Sequence, residues 1–138
     1  MTAPNPSALA IVPFVSVQDM MRIVNEIGPR QMLRELCAYI EADFLRWDMF
    51  DKTPRIPAHS AEGVIELMPT SDGAYYGFKY VNGHPANMAR GFQTVTAFGV
   101  LAKVCNGYPV LFTEMTILTA LRTAATSAMA AKYLAPNS

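Results

Sequence analysis

A stretch of small residues, Leu111-Phe-Thr-Glu-Met-Thr-Ile-Leu-Thr-Ala-Leu-Arg-Thr-Ala-Ala-Thr-Ser-Ala-Met-Ala-Ala-Lys-Tyr-Leu134, limits the folds open to this chain. Its alanines favour a helix, and side chains this small let that helix lie close against another body. One cation, Arg122, stands inside the run. A guanidinium held at a close-packed surface offers a fork of donors to a carboxylate or phosphate. Thr113 or Thr116 can cap the helix, and Glu114 favours its positive end. The helix is expected to reach about Leu134, with Ala135-Pro-Asn-Ser138 reading as the start of a linker, since proline commonly follows a helix end.

The chain that must supply the opposing body has 138 residues, 51% of them hydrophobic and only 16% charged. That is enough for one core, and the shortage of charge points to buried interface. No stretch approaches the ~18 consecutive apolar residues of a membrane span, and the first residues lack the basic-then-apolar order of a secretory signal. A cytoplasmic protein without membrane insertion is expected. Eleven basic and eleven acidic residues cancel with no basic run, which argues against nucleic-acid binding. Cys37 and Cys105 lie far apart among apolar neighbours and read as small core residues; no His, Cys or carboxylate cluster has metal-ligand spacing.

Residues 1–10 are aperiodic and read as a loose tail, and Ile11 to Val15 as a short strand. Ser16 is positioned to cap a helix carrying Val17, Met20, Met21, Val24 and Ile27, which Gly28 stops. Pro29 opens a second helix whose stripe of Leu33, Leu36, Cys37, Ile40, Phe44 and Trp47 is expected to lie on a sheet. From Arg55 to Phe112 the sequence alternates with β-branched and aromatic residues, predicting about five strands. Asp72-Gly73 and Asn106-Gly107 are each consistent with a two-residue hairpin, and Asn82-Gly-His-Pro85 with a turn. The fold class expected is α+β: an antiparallel-rich mixed sheet of about five to six strands, packed by two amino-terminal helices and followed by a long carboxy-terminal connecting helix.

A two-residue loop at Asp72-Gly73 places Glu66 directly opposite Lys79. Two readings stay open: a structural cross-strand ion pair, or a lysine of tuned proton affinity held in place by a carboxylate. Arg55, entering the first strand of this sheet, reads as a surface arginine, and His59 and His84 as uncommitted solvent or turn residues. No serine or cysteine shows a nucleophile motif. No two of the eight glycines are separated by a single residue, so the chain has no Gly-x-Gly-x-x-Gly dinucleotide loop.

Taken in order, Val64-Ile-Glu-Leu-Met-Pro69, Phe78-Lys-Tyr-Val-Asn-Gly-His-Pro85, Gln93-Thr-Val-Thr-Ala-Phe-Gly-Val-Leu-Ala102, Asn106-Gly-Tyr-Pro109 and Thr119-Ala-Leu-Arg-Thr-Ala-Ala-Thr-Ser127 resemble the amino-terminal part of the bacterial ornithine cyclodeaminases, a family that includes the mu-crystallins. The resemblance implies an NAD-dependent lyase that converts L-ornithine to L-proline and ammonia. A homodimer is expected on separate grounds, because unpaired sheet edges are a liability that dimerisation through those edges relieves. It implies that Arg55 and Arg122 bind the substrate carboxylate, Arg122 also lying near the cofactor. Lys79 would touch the same carboxylate and move protons, Glu66 and Met68 would line the substrate pocket, and Thr94 would touch NAD. It divides the chain into a tail (1–10), an incomplete substrate-binding and dimerisation domain (11–113), and a connecting helix (114–138) toward an NAD-binding Rossmann domain. That domain and its acid/base aspartate lie outside this sequence, so the chain alone is expected to be inactive and to bind nucleotide weakly. A related enzyme acting on lysine or another diamino acid is one alternative, because a single methylene separates such substrates. The other is a non-catalytic dimerising or small-molecule-binding module.

Overall fold

The computed structural model describes residues 11–135; the tail expected over 1–10 and the linker residues Pro136 to Ser138 lie outside the described residues. Strand β1 is two residues, Phe14–Val15, shorter than the expected Ile11 to Val15. Ser16 then starts helix α1, Val17–Ile27, with a reciprocal cap. Its hydroxyl accepts from the Asp19 N–H at 3.2 Å while the Asp19 carboxylate accepts from the Ser16 N–H at 3.1 Å. The Ser16 hydroxyl also donates to that carboxylate at 2.7 Å, and this bond, with the one from the Ser16 N–H, holds the Asp19 carboxyl below the usual carboxylate range. Gly28 takes φ +88°, which a side chain would resist, and turns the chain into α2, Pro29–Leu45. The apolar stripe of α2 ends sooner than its spacing suggests. Trp47 sits in a short 3-10 turn and stacks on Phe44 with ring centroids 5.3 Å apart.

Five strands follow: β2 Ile56–His59, β3 Val64–Ser71, β4 Tyr75–Gly83, β5 Val95–Lys103 and β6 Pro109–Glu114. They form one sheet in the order β1-β6-β5-β4-β3-β2, with β1 parallel to β6 and every other pair antiparallel. The mixed, antiparallel-rich sheet expected from the alternation is therefore present, with six strands. Helix α3, Thr116–Leu134, completes the fold.

Both hairpin turns are longer than two residues. At the first, the Asp72 carboxylate accepts from the N–H groups of Ala74 and Tyr75, at 3.0 and 2.8 Å, and the Asp72 N–H donates to the Tyr75 carbonyl. This side-chain turn holds two extra residues in the loop. Ser71 consequently faces Tyr76, Met68 faces Lys79, and Glu66 faces Val81. The direct Glu66–Lys79 pairing expected from a two-residue loop is displaced by two positions. A shift of two leaves every side chain on its original face, so the face assignment survives the change of register. At the second turn, β5 ends at Lys103 and β6 begins at Pro109, with Gly107 at φ +71° between them. Cys105 in that turn is exposed instead of joining the core, whereas Cys37 on α2 is half-buried and its thiol donates to the Ala125 carbonyl of α3 at 3.2 Å.

One sheet face carries Val64, Glu66 and Met68 of β3, Lys79 and Val81 of β4, and Ala97 and Gly99 of β5. Helix α3 lies on this face, and α2 packs against α3. The fit is tight at β5, where Ala97 and Gly99 are buried beneath the start of α3. A Cβ at position 99 would collide with the Met115 side chain and come within 3.0 Å of the Phe78 carbonyl oxygen. Gly99→Ala should therefore destabilise the protein by roughly 1–3 kcal/mol, the usual effect of overpacking. Urea unfolding would show this as a lower midpoint at an unchanged slope.

Candidate functional site

Strand alternation and the pitch of α3 together gather the charged residues. Arg55 immediately precedes β2, whose pairing with β3 brings it alongside Glu66. Its Nη1 donates to both Glu66 oxygens at 3.3 Å. Glu66 thus pairs with Arg55 instead of with Lys79. With 60% of the Arg55 side chain exposed, this contact contributes about 0–1 kcal/mol and serves orientation more than stability. Lys79 projects between strands and helix, and its Nζ donates to the Thr119 hydroxyl at 3.5 Å.

These residues line one space. A cavity of about 440 Å³ is bounded by Arg55, Met68, Lys79, Met115, Thr119 and Arg122 together with Lys52 to Thr53 and Pro69 to Thr70. A second recess of about 270 Å³ shares Arg55, Met68, Lys79, Thr119 and Arg122 with it, and continues past Glu66 and Val81 to Asn82 and Gly83. Five of the six residues singled out from the sequence, Arg55, Glu66, Met68, Lys79 and Arg122, meet here. Thr94 does not line either recess. Its carbonyl accepts from the His84 N–H at 2.9 Å, and its neighbour Val95 reaches the second recess.

Thr119, Met115 and Asn82 were not singled out. Thr119 had a usable signal, since three residues before Arg122 is the same helix face. Asn82 had none: its carbonyl oxygen accepts from the Thr96 N–H and hydroxyl, both at 2.6 Å, a contact created only by strand pairing. A third recess, about 600 Å³, runs along the small-residue side of α3 between Thr116 and Ser127 and touches Val95. Among the described residues no group of three or more His, Cys, Asp or Glu side chains could hold a metal ion, and no helix is long and apolar enough to cross a membrane.

The electrostatics favour an anionic guest. Burial pushes the Lys79 ammonium below its ordinary pKa, the Arg122 and Arg55 guanidinium groups push it further, and the Glu66 carboxylate opposes them. A lysine so depressed binds fewer protons folded than unfolded. Its contribution to stability therefore rises with pH, from the depressed folded value up to the ordinary lysine value near 10.5. A carboxylate seated among the three cations should reverse part of the shift. We expect the Lys79 Cε resonance to titrate below the other lysines, and to move toward them when acetate is added; an unmoved titration would remove the anion from this space.

The sequence profile of the ornithine cyclodeaminase/mu-crystallin family matches residues 17–138. The ornithine cyclodeaminase of Brucella suis biovar 1 (strain 1330) is 69% identical over 137 residues, covering 99% of this chain and 37% of the relative. Among solved structures, a lysine cyclodeaminase described as recognising L-lysine, L-ornithine and L-2,4-diamino butyric acid superposes with a TM-score of 0.84 at 26% identity, over 91% of this chain and 39% of that one. An archaeal alanine dehydrogenase dimer with bound NAD gives 0.75 at 26% identity, over 91% and 38%. The chain thus spans little more than a third of the length of the relatives it matches. With nearly all of its own length accounted for by the match, the chain belongs to the ornithine cyclodeaminase/mu-crystallin family.

Proposed function

We propose that this chain forms the substrate-carboxylate side of an NAD-dependent ornithine cyclodeaminase, which converts L-ornithine to L-proline and ammonia. The observation that carries the reading is the convergence of Arg55, Lys79 and Arg122 on one space with Glu66 as the carboxylate lining it. An amino-acid carboxylate supplies the missing negative charge, and two guanidinium forks can fix it in a plane. That fixes the adjoining α-carbon as well, which is the geometry a hydride transfer requires. NAD, when bound, would take a hydride from that carbon and later return it. Lys79, whose pKa is lowered by burial and by the Arg122 and Arg55 guanidinium groups, is placed to exchange a proton with the substrate amine. Glu66, lining the same recess, offers a counter-charge to a cationic substrate side chain.

The residues present fit one wall of a cofactor site. The small residues Ala120, Thr123 and Ala124 of α3 leave room beside the substrate space, but no glycine-rich phosphate loop exists in the chain. A second reading, a related enzyme acting on lysine or another diamino acid, is supported by the similarity to the lysine cyclodeaminase. The opposite face of the sheet supports a homodimer. Leu67, Tyr80 and Phe98 lie across it in register, with Leu67 39% and Phe98 46% exposed. Water-exposed apolar side chains in such a row are the ordinary mark of an interface.

The 138-residue chain mixed with NAD and L-ornithine should yield no proline, whereas the complete enzyme should. Turnover by the chain alone would show that its residues suffice. In the complete enzyme Lys79→Met should lower kcat/KM by about 10²–10⁴-fold, the range of a lost general base, with the fold intact by circular dichroism. For the interface, Phe98→Asp should shift the sedimentation coefficient from dimer to monomer, and an unchanged value would move the contact elsewhere.

A further inference from the structure

Glu114 is the buried charged residue among the described side chains, only 5% exposed, and the cavity chemistry does not use it. Its position is informative. The first four N–H groups of a helix have no partner within it, and α3 begins with Met115 in the capping position, whose side chain makes no capping bond. Glu114 caps the helix instead. Its Oε2 accepts from the N–H of Thr116 at 2.7 Å and of Ile117 at 3.1 Å. Neither Thr113 nor Thr116, the residues expected at the cap, performs this role. The Thr113 hydroxyl donates to the Glu114 carbonyl, and the Thr116 hydroxyl accepts from the Ala97 N–H at 2.9 Å.

The start of α3 is thereby fixed in two directions. Thr116 and the Met115 N–H, which donates to the Ala97 carbonyl at 2.8 Å, hold it laterally to β5. Glu114, the last residue of β6, holds it along its axis. A helix advances about 1.5 Å and turns about 100° per residue, so loss of axial register by one residue swings every later side chain by more than a quarter turn. Thr119 and Arg122, one and two turns downstream, are the residues α3 sends into the cationic cavity.

We infer that Glu114 is a positioning residue for that cavity: its buried carboxylate sets the register of α3 against the sheet and so delivers Thr119 and Arg122 to Lys79. The inference rests on the substrate reading above for its kinetic measurement, but not for its structural one. Its other oxygen, Oε1, is buried with no partner. A glutamine retains one carbonyl oxygen able to accept from both N–H groups, so Glu114→Gln removes the charge while keeping the two bonds to the helix end.

The test uses the complete enzyme with Glu114→Gln, Glu114→Asp and Glu114→Ala. Aspartate is shorter by one methylene and draws the oxygen away from the helix end. The expected result is a KM for L-ornithine raised about tenfold or more in Glu114→Asp and Glu114→Ala, with Glu114→Gln within about threefold of the unaltered enzyme. Hydrogen exchange at Thr116 and Ile117, and the Arg122 Nε–Hε NMR signal, should change in the first two variants and not in the third. If Glu114→Ala does not fold, Glu114→Asp carries the same comparison. A folded Glu114→Asp with unchanged KM and an unchanged Arg122 signal overturns the inference. Should the unaltered enzyme fail to turn over or bind L-ornithine, the substrate reading falls, and the exchange and Arg122 measurements still decide the role of Glu114.

Discussion

The close approach of α3 to β5 is the contact on which the rest of the arrangement depends. Strand β6 pairs with β5 as far as Glu114 opposite Phe98, and there it stops. One step further along β5, the N–H and carbonyl of Ala97 would be left without a partner in a buried setting, a loss of roughly 1–3 kcal/mol per group. The Thr116 hydroxyl and the Met115 N–H take the places the strand has vacated. The chain can therefore leave the sheet and become a helix without breaking the ladder. Position 99 must lack a side chain for this, Ala97 beside it is buried, and a helix rich in alanine and threonine is what can settle onto them.

That approach also creates the electrostatic problem of the site. Bringing α3 over β4 places Arg122 near Lys79 in partly dehydrated surroundings, and the β2–β3 pairing adds Arg55. Glu66 offsets part of this excess by pairing with Arg55. The remaining positive charge is tolerable because Arg55 stays largely in water and because the lysine can release its proton, which a guanidinium cannot. The arrangement is poised for an anion, and the cationic residues sit in three separate segments, before β2, on β4 and on α3, that only the folded sheet brings together.

Much of this was legible in the sequence where the information is local. The Ser16 cap, the Gly28–Pro29 break and the alternation of five strands each depend on residues within one element, and each matches the structure. What the sequence could not supply is register. Asp72-Gly73 is equally compatible with a two-residue turn, and only the bonds from the Asp72 carboxylate to Ala74 and Tyr75 select the longer one. The partner of Glu66 changed as a result, although its face did not. Likewise threonine hydroxyls are the commonest local cap for a helix such as α3, but burial at the sheet makes the Thr116 hydroxyl more valuable against Ala97 and leaves the cap to Glu114. Cys105 failed for a related reason: apolar neighbours in sequence say little about burial inside a turn.

The two faces of the sheet are bound to each other by the same alternation. Leu67 lies between Glu66 and Met68, Tyr80 follows Lys79, and Phe98 lies between Ala97 and Gly99. Glu66, Met68 and Lys79 thus each have an apolar neighbour one peptide away on the opposite face, where Tyr80 and Phe98 stack with centroids 4.9 Å apart. Among the described residues the buried apolar side chains are few, Met20, Ala97 and Ala125, so the sheet is not held by a deep core on both sides. Its shape beneath Lys79 then depends on what covers the apolar face. Covering that face would stiffen β3, β4 and β5 together, and with them the spacing of Glu66, Lys79 and the alanine and glycine positions on which α3 rests.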